Sequence, residues 1–140
     1  MVSRGLPCTE RQPMIYAGID IAKNDHVVGA TDEHGRDASK PMRFANSAGG
    51  FDRCVAYWKL AESKSDLLVG MEATGHYWLP LFCRLQDAGY AVVVINPMRT
   101  DAMRRFKGSS RVKTDIVDCV LVAETLRCGG FQPSRLGTRR

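Results

Sequence analysis

The order of short apolar runs and helical periodicities restricts this chain to very few architectures. From Met14 the chain reads MIYAGIDIA, a short Ile-rich run suited to a buried strand. HVVGATD follows, then the turn-prone DEHGRD of residues 32–37, then a third short strand around residues 39–44. Strands joined by a tight polar turn form a hairpin, so the opening reads as an antiparallel meander of three strands. The periodicity then lengthens. Ser47 is placed to cap a helix in which Phe51, Val55, Trp58 and Ala61 recur at helical spacing. LLVGM at residues 67–71 is a compact apolar strand. Thr74-Gly75 precedes a helix with Tyr77 or Trp78, Leu81, Phe82 and Leu85 on one face, ended by Gly89. AVVVI at residues 91–95 is a further buried strand, stopped by Asn96-Pro97. A short basic helix over residues 98–106 and a Gly108-Ser109-Ser110 loop come next. Thr114 is placed to cap a last helix that turns Ile116, Val117, Val120, Leu121 and Ala123 inward.

The resulting order, βββ-α-β-α-β-α-α, predicts an α/β fold: a mixed sheet with three antiparallel N-terminal strands and helices on its faces. It is the ribonuclease-H-like order. At 140 residues and 44% apolar, the chain has the material for one domain with a real core. Residues 1–13, polar and with Pro7 and Pro13, read as a disordered tail ahead of it. No apolar run approaches the roughly 20 residues that span a bilayer, and the N-terminal stretch has no apolar segment of the signal-peptide kind. The expectation is a cytoplasmic protein with no membrane partner. Five cysteines (Cys8, Cys54, Cys83, Cys119 and Cys128) are odd in number, widely spaced and without a C-x-x-C pair. They suggest neither a disulfide framework nor a zinc site, but small buried apolar side chains in a reducing compartment.

Charge is unevenly distributed. Residues 96–140 hold half of the 20 Lys+Arg but only four of the 15 Asp+Glu. Within them RRFKGSSRVK, residues 104–113, carries Arg104, Arg105, Lys107, Arg111 and Lys113 and no acid. Such clustering suits a polyanionic partner, as it also suits a solvated loop.

Four acids stand where chemistry would want them. Asp20 interrupts an apolar strand, a costly position unless the carboxylate is paired, hydrogen-bonded or metal-bound. Glu72 ends LLVGM just before a Gly-containing turn into a helix, and the carboxyl ends of strands are favoured ligand positions in such sheets. Asp115 and Asp118, three residues apart at the start of the last helix, share a face near the favourable N-terminal end of the dipole. If the strands of Asp20 and Glu72 are neighbours and the last helix packs on them, the four converge. Hard divalent cations with oxygen ligands would then relieve the repulsion, and a pair of Mg²⁺ or Mn²⁺ ions clamps both oxygens of a phosphodiester displacement.

The segments YAGIDIAK from Tyr16, MEATGHY from Met71, Asn96-Pro97, and KTDIVD from Lys113 resemble the N-terminal domain of DEDD transposases. These are insertion-sequence recombinases whose catalytic domain is similar to the Holliday-junction resolvase RuvC. The resemblance covers residues 14–130, which would form a RuvC-like DEDD domain. It implies that Asp20, Glu72, Asp115 and Asp118 are an acidic tetrad, both catalytic and Mg²⁺-binding (or Mn²⁺-binding). It further implies action on DNA, a structured guide RNA, a homo-oligomer in the full-length protein, and Arg104, Arg105, Lys107, Arg111 and Lys113 as phosphate contacts. Family members continue into a helical segment and a second domain with a catalytic serine. Neither Ser109 nor Ser110 lies in a matching motif, and residues 131–140 read as the start of a linker to that absent domain. A fragment or a truncated gene product is the expectation, one not fully active by itself. Cys119 stands where the family tends to have Ala.

Two rival functions come from other classes. One is a truncated nucleic-acid-binding module without turnover. The other is a kinase-like ATP-handling domain, which opens with a comparable strand but needs a second phosphate-binding glycine turn that is missing here; Gly49-Gly50 and Gly129-Gly130 read only as helix boundaries. His76 reads as a packing residue at a helix start. Tyr77, Trp78 and Trp58 read as core residues from their helical spacing.

Overall fold

The computed structural model describes residues 14–58, 66–107 and 115–129, the first three of the last segment by backbone alone. The expected 1–13 tail, Ala61, the Thr114 cap, Arg111, Lys113, the 108–110 loop and residues 131–140 lie outside the described residues.

Five strands, β1 (Ile15–Asp20), β2 (Asp25–Asp32), β3 (Asp37–Ala45), β4 (Leu67–Glu72) and β5 (Ala91–Ile95), form one sheet in the order β3-β2-β1-β4-β5. β1–β2 and β2–β3 pair antiparallel, while β1–β4 and β4–β5 pair parallel. The mixed sheet read from the element order is therefore the one observed. The β2–β3 turn closes on Asp32, whose carboxylate accepts from the His34 and Arg36 amides at 2.9 and 3.0 Å. Those backbone donors hold its carboxyl below the usual range.

The parallel connections run through helices because parallel strands cannot be joined by a tight turn. α1 (Ala48–Trp58) begins where Ser47 Oγ accepts from the Gly50 amide at 3.2 Å, the expected cap. It buries Phe51, Cys54 and Trp58. α2 (Leu79–Asp87) buries Leu81, Phe82 and Leu85. It ends in a Schellman arrangement: Gly89 has φ 93°, its amide reaches the Gln86 carbonyl and the Tyr90 amide reaches Leu85. α2 starts later than the periodicity predicts, because Gly75, with φ 61°, prolongs the turn and Pro80 sits in the first helical turn. The expectation that Tyr77 packs in the core fails for this reason; it is 37% exposed on that turn. Trp58 is buried as expected, and Trp78 is half-buried edge-on to Phe82.

α1 and α2 close one sheet face with Ala17, Ile19, Val28, Val69, Met71 and Val92. α3 (Pro97–Phe106) and α4 (Asp115–Gly129) lie at the other, where Val93, Ile95, Val122 and Leu126 meet. Along α4, Cys119 and residues 121–126 are all buried. Of the expected inward residues, Leu121 and Ala123 are buried and Val120 is only half-buried. Cys119, Val122 and Leu126 are buried as well, and the side chains of Ile116 and Val117 lie outside the described atoms. A helix covered nearly all round has little amphipathic signal to read.

Candidate nucleic-acid-processing site

Successive residues of a strand face opposite sides, so Gly18 and Asp20 of β1 share one face, and Gly70 and Glu72 of β4 share it with them. The β1–β4 register sets Gly18 against Gly70 and Ile19 against Met71. Asp20 and Glu72 therefore stand side by side at the carboxyl ends of neighbouring parallel strands, on the α4 face.

α4 reaches this face because the sheet offers it no side chains. Gly29, Gly18 and Gly70 are register partners across β2, β1 and β4. A Cβ at Gly18 would lie 2.1 Å from the Cys119 carbonyl oxygen and 2.4 Å from the Ala123 amide nitrogen. One at Gly29 would lie 2.9 Å from Cys119 Sγ, and one at Gly70 3.1 Å from a Leu126 methyl. Glycine in a strand interior is disfavoured unless another chain segment must approach closely, and here it is the backbone of α4. This row carries the first turns of α4, and with them Asp118, to the end of β1. Sequence reasoning missed it, although one glycine in the middle of each of three apolar runs was a visible signal. Burial, and after it the Asp20 charge, pushes the Cys119 thiol up to about 12.

α3 supplies the remaining contacts. Asn96 caps it at the end of β5, accepting from the Met98 amide at 2.8 Å, and Pro97 opens it. Thr100, 1% exposed, turns its hydroxyl between the Pro97 carbonyl and Glu72 Oε2. Thr74 donates to the other oxygen, Oε1, at 3.2 Å. One turn beyond Thr100, Arg104 forks: Nη1 lies 2.9 Å from Asp101 and Nη2 3.2 Å from Asp118. The sequence offered no role for Thr100, and it marked Thr74 only as part of the turn before α2 and of the MEATGHY segment.

Of the four acids, Asp20 and Glu72 stand at neighbouring strand ends, and Glu72 and Asp118 are both engaged by α3. Asp115 begins α4, and its side chain lies outside the described atoms. Among the described residues no three His, Cys, Asp or Glu side chains stand close enough to hold a metal ion. The donor chemistry nevertheless suits a hard divalent cation. Every candidate ligand is a carboxylate, and Asp118 already binds a cationic group. Of the basic residues, Arg104 is turned to the acids, Arg105 is exposed, and Lys107 pairs with Glu124 at 3.6 Å. Burial opposes the charge of Glu124, but Arg127 and Lys107 outweigh it and hold its carboxyl below the usual range. His76 is exposed against Tyr77 rather than packed. The buried His26, flanked by Phe44 and Phe51, accepts the Ala22 amide at 3.1 Å through Nδ1 and so fixes the turn that follows Asp20.

The sequence profile of the IS110-type DEDD transposases, described as transposase, matches residues 17–139. No curated relative matches the chain. Among solved structures, the chain is similar to Thermus thermophilus RuvC in complex with a Holliday-junction substrate, with a TM-score of 0.59 and 15% identity over 86% of this chain and 99% of that one. A second T. thermophilus RuvC structure gives a TM-score of 0.56 and 17% identity over 86% of this chain and all of that one. The architecture is therefore RuvC-like, within the ribonuclease-H-like class. No helix among the described residues is long and apolar enough to cross a membrane.

Proposed function

The chain belongs to the IS110-type family of DEDD transposases, and from that premise we propose that residues 14–130 are the metal-dependent nucleic-acid-processing domain of such an enzyme. The observation that supports this reading is the placement of Asp20 and Glu72 at neighbouring strand ends, with α3 contacting Glu72 through Thr100 and Asp118 through Arg104. Asp20, Glu72, Asp115 and Asp118 hold the divalent cation, Mg²⁺ or Mn²⁺. When bound, it supplies positive charge to a phosphodiester undergoing displacement. Thr100 and Thr74 fix the orientation of Glu72, so its oxygens are set before any ligand arrives. Arg104, Arg105, Lys107, Arg111 and Lys113 take the phosphates of DNA and of a structured guide RNA, with a homo-oligomer as the working assembly in the cytoplasm.

Calorimetric titration with Mn²⁺ tests the reading. The wild-type chain binds the ion, and Asp20→Asn and Glu72→Gln lose most of that binding while remaining folded. Unchanged titrations in both variants would overturn the assignment. A second reading, a nucleic-acid-binding module without turnover, draws support from the hold of Arg104 on Asp118. Under it, neutralising Arg104, Arg105 and Lys107 flattens the salt dependence of DNA binding, while the acid substitutions leave DNA affinity and its response to cations unchanged.

A further inference from the structure

We propose that Arg104 is an internal counter-ion of the acidic centre, holding Asp118 until a divalent cation takes the carboxylates and then passing to a phosphate of the nucleic acid. The inference rests on the metal-centre reading above and deepens it. Thr100 and Arg104 are four residues apart on α3, hence on one face of the helix. The first contacts Glu72 and the second Asp118, so one helix face engages both acids. The two bonds differ in kind. The Thr100 hydroxyl is neutral, buried and compatible with a metal-bound carboxylate. The Arg104 guanidinium is a charge that competes for the same oxygen a cation would take.

Three features make exchange easy. The Arg104 side chain is 31% exposed, so water screens its pair with Asp118 and solvates it on release. Its other arm stays on Asp101, one turn back on its own helix, so the guanidinium leaves Asp118 without leaving the site's edge. Guanidinium cannot surrender its proton, so relief of crowding with a divalent cation comes by movement and not by titration. An arginine displaced in this way faces the approach of a phosphodiester with its Nη2 side free to donate to phosphate oxygens, while Nη1 stays on Asp101. Lys107, turned to Glu124, and the exposed Arg105 have no such link to the acids among their described contacts. Cation binding and nucleic-acid binding are then coupled positively through one side chain, and the coupling is reciprocal.

The test uses Mn²⁺ binding in the absence of DNA, and the anisotropy of a short labelled duplex with EDTA or with Ca²⁺ at constant ionic strength. Arg104→Gln should bind Mn²⁺ about five-fold more tightly than wild type, because the internal competitor is gone. Wild type should bind the duplex more tightly in Ca²⁺ than in EDTA. Arg104→Gln should lose most of that gain, whereas Arg105→Gln should weaken DNA binding in both buffers and keep the gain. Arg104→Lys, which preserves the charge without the fork, should restore competition with Mn²⁺ but only part of the DNA response. Equal or weaker Mn²⁺ binding by a folded Arg104→Gln overturns this inference alone, as does a Ca²⁺ gain that survives in it. Absence of Mn²⁺ binding in wild type and Arg104→Gln alike overturns the metal-centre reading and this inference with it.

Discussion

On one face of the sheet, α1 and α2 close over Phe44, Trp58, Leu81, Phe82 and Leu85 through apolar side chains. On the other, α4 lies against a row of glycines and brings Asp118, Glu124 and Arg127 into or beside the protein interior. The first arrangement removes apolar area from water and tolerates small adjustments of helix position. The second gives up side-chain volume to fix a helix backbone within contact of a strand. Stability is concentrated on the first face and geometry on the second.

The largest expected effect tests the first half of that contrast. Phe82→Ala empties a fully buried position and should cost about 3–5 kcal/mol in chemical denaturation, while the folded fraction keeps its Mn²⁺ affinity. A parallel loss of metal affinity would show that the faces are not separable. Gly18→Ala should cost about 1–3 kcal/mol or more, because its Cβ meets backbone on the α4 side, and should also weaken Mn²⁺ binding by displacing α4. The comparison residue is Gly49, around which a Cβ meets nothing within 4 Å. Gly49→Ala should be neutral or stabilising by up to about 1 kcal/mol, with metal binding intact. Thr100→Val removes a single hydroxyl from Glu72 and should cost about 0.5–1.5 kcal/mol, read by thermal melting, with weaker Mn²⁺ binding as its sharper signature.

A smaller effect depends on pH. Burial holds the His26 imidazole below its ordinary range. The unfolded chain therefore takes up a proton that the folded chain resists. The contribution is complete above the ordinary value, about pH 6.5, and is lost as pH falls through that value toward the lowered one. Denaturation midpoints should drop between pH 7.5 and 5.5, and His26→Gln should flatten that slope even though it lowers stability at both ends. An unchanged slope would assign the acid sensitivity to other groups.

The strand and helix order was legible because the elements carried local signals: apolar runs for β1, β4 and β5, Ser47 as a cap, Asn96-Pro97 as the end of β5, and Gly89 as a stop. Asp20 and Glu72 were conspicuous because a carboxylate in an apolar strand demands an explanation. The start of α2 was misread since Gly75 and Pro80 compete with the aromatic periodicity around Tyr77. α4 was the least legible helix, as burial on nearly all sides leaves no polar face to set a phase. Thr100 escaped notice because its role depends on a tertiary contact with Glu72, and no local pattern marks a hydroxyl as facing a strand three elements earlier. The glycine row belongs to the same class. Its members are adjacent only through strand register, which the chain order does not display.

The most direct test of the metal centre is anomalous scattering from a crystal of this chain soaked with Mn²⁺. The expected result is a manganese peak ligated by oxygens of Asp20 and Glu72, with Arg104 drawn away from Asp118. A Mn²⁺-saturated crystal with no peak at the β1 and β4 ends, and with Arg104 still seated on Asp118, would contradict it.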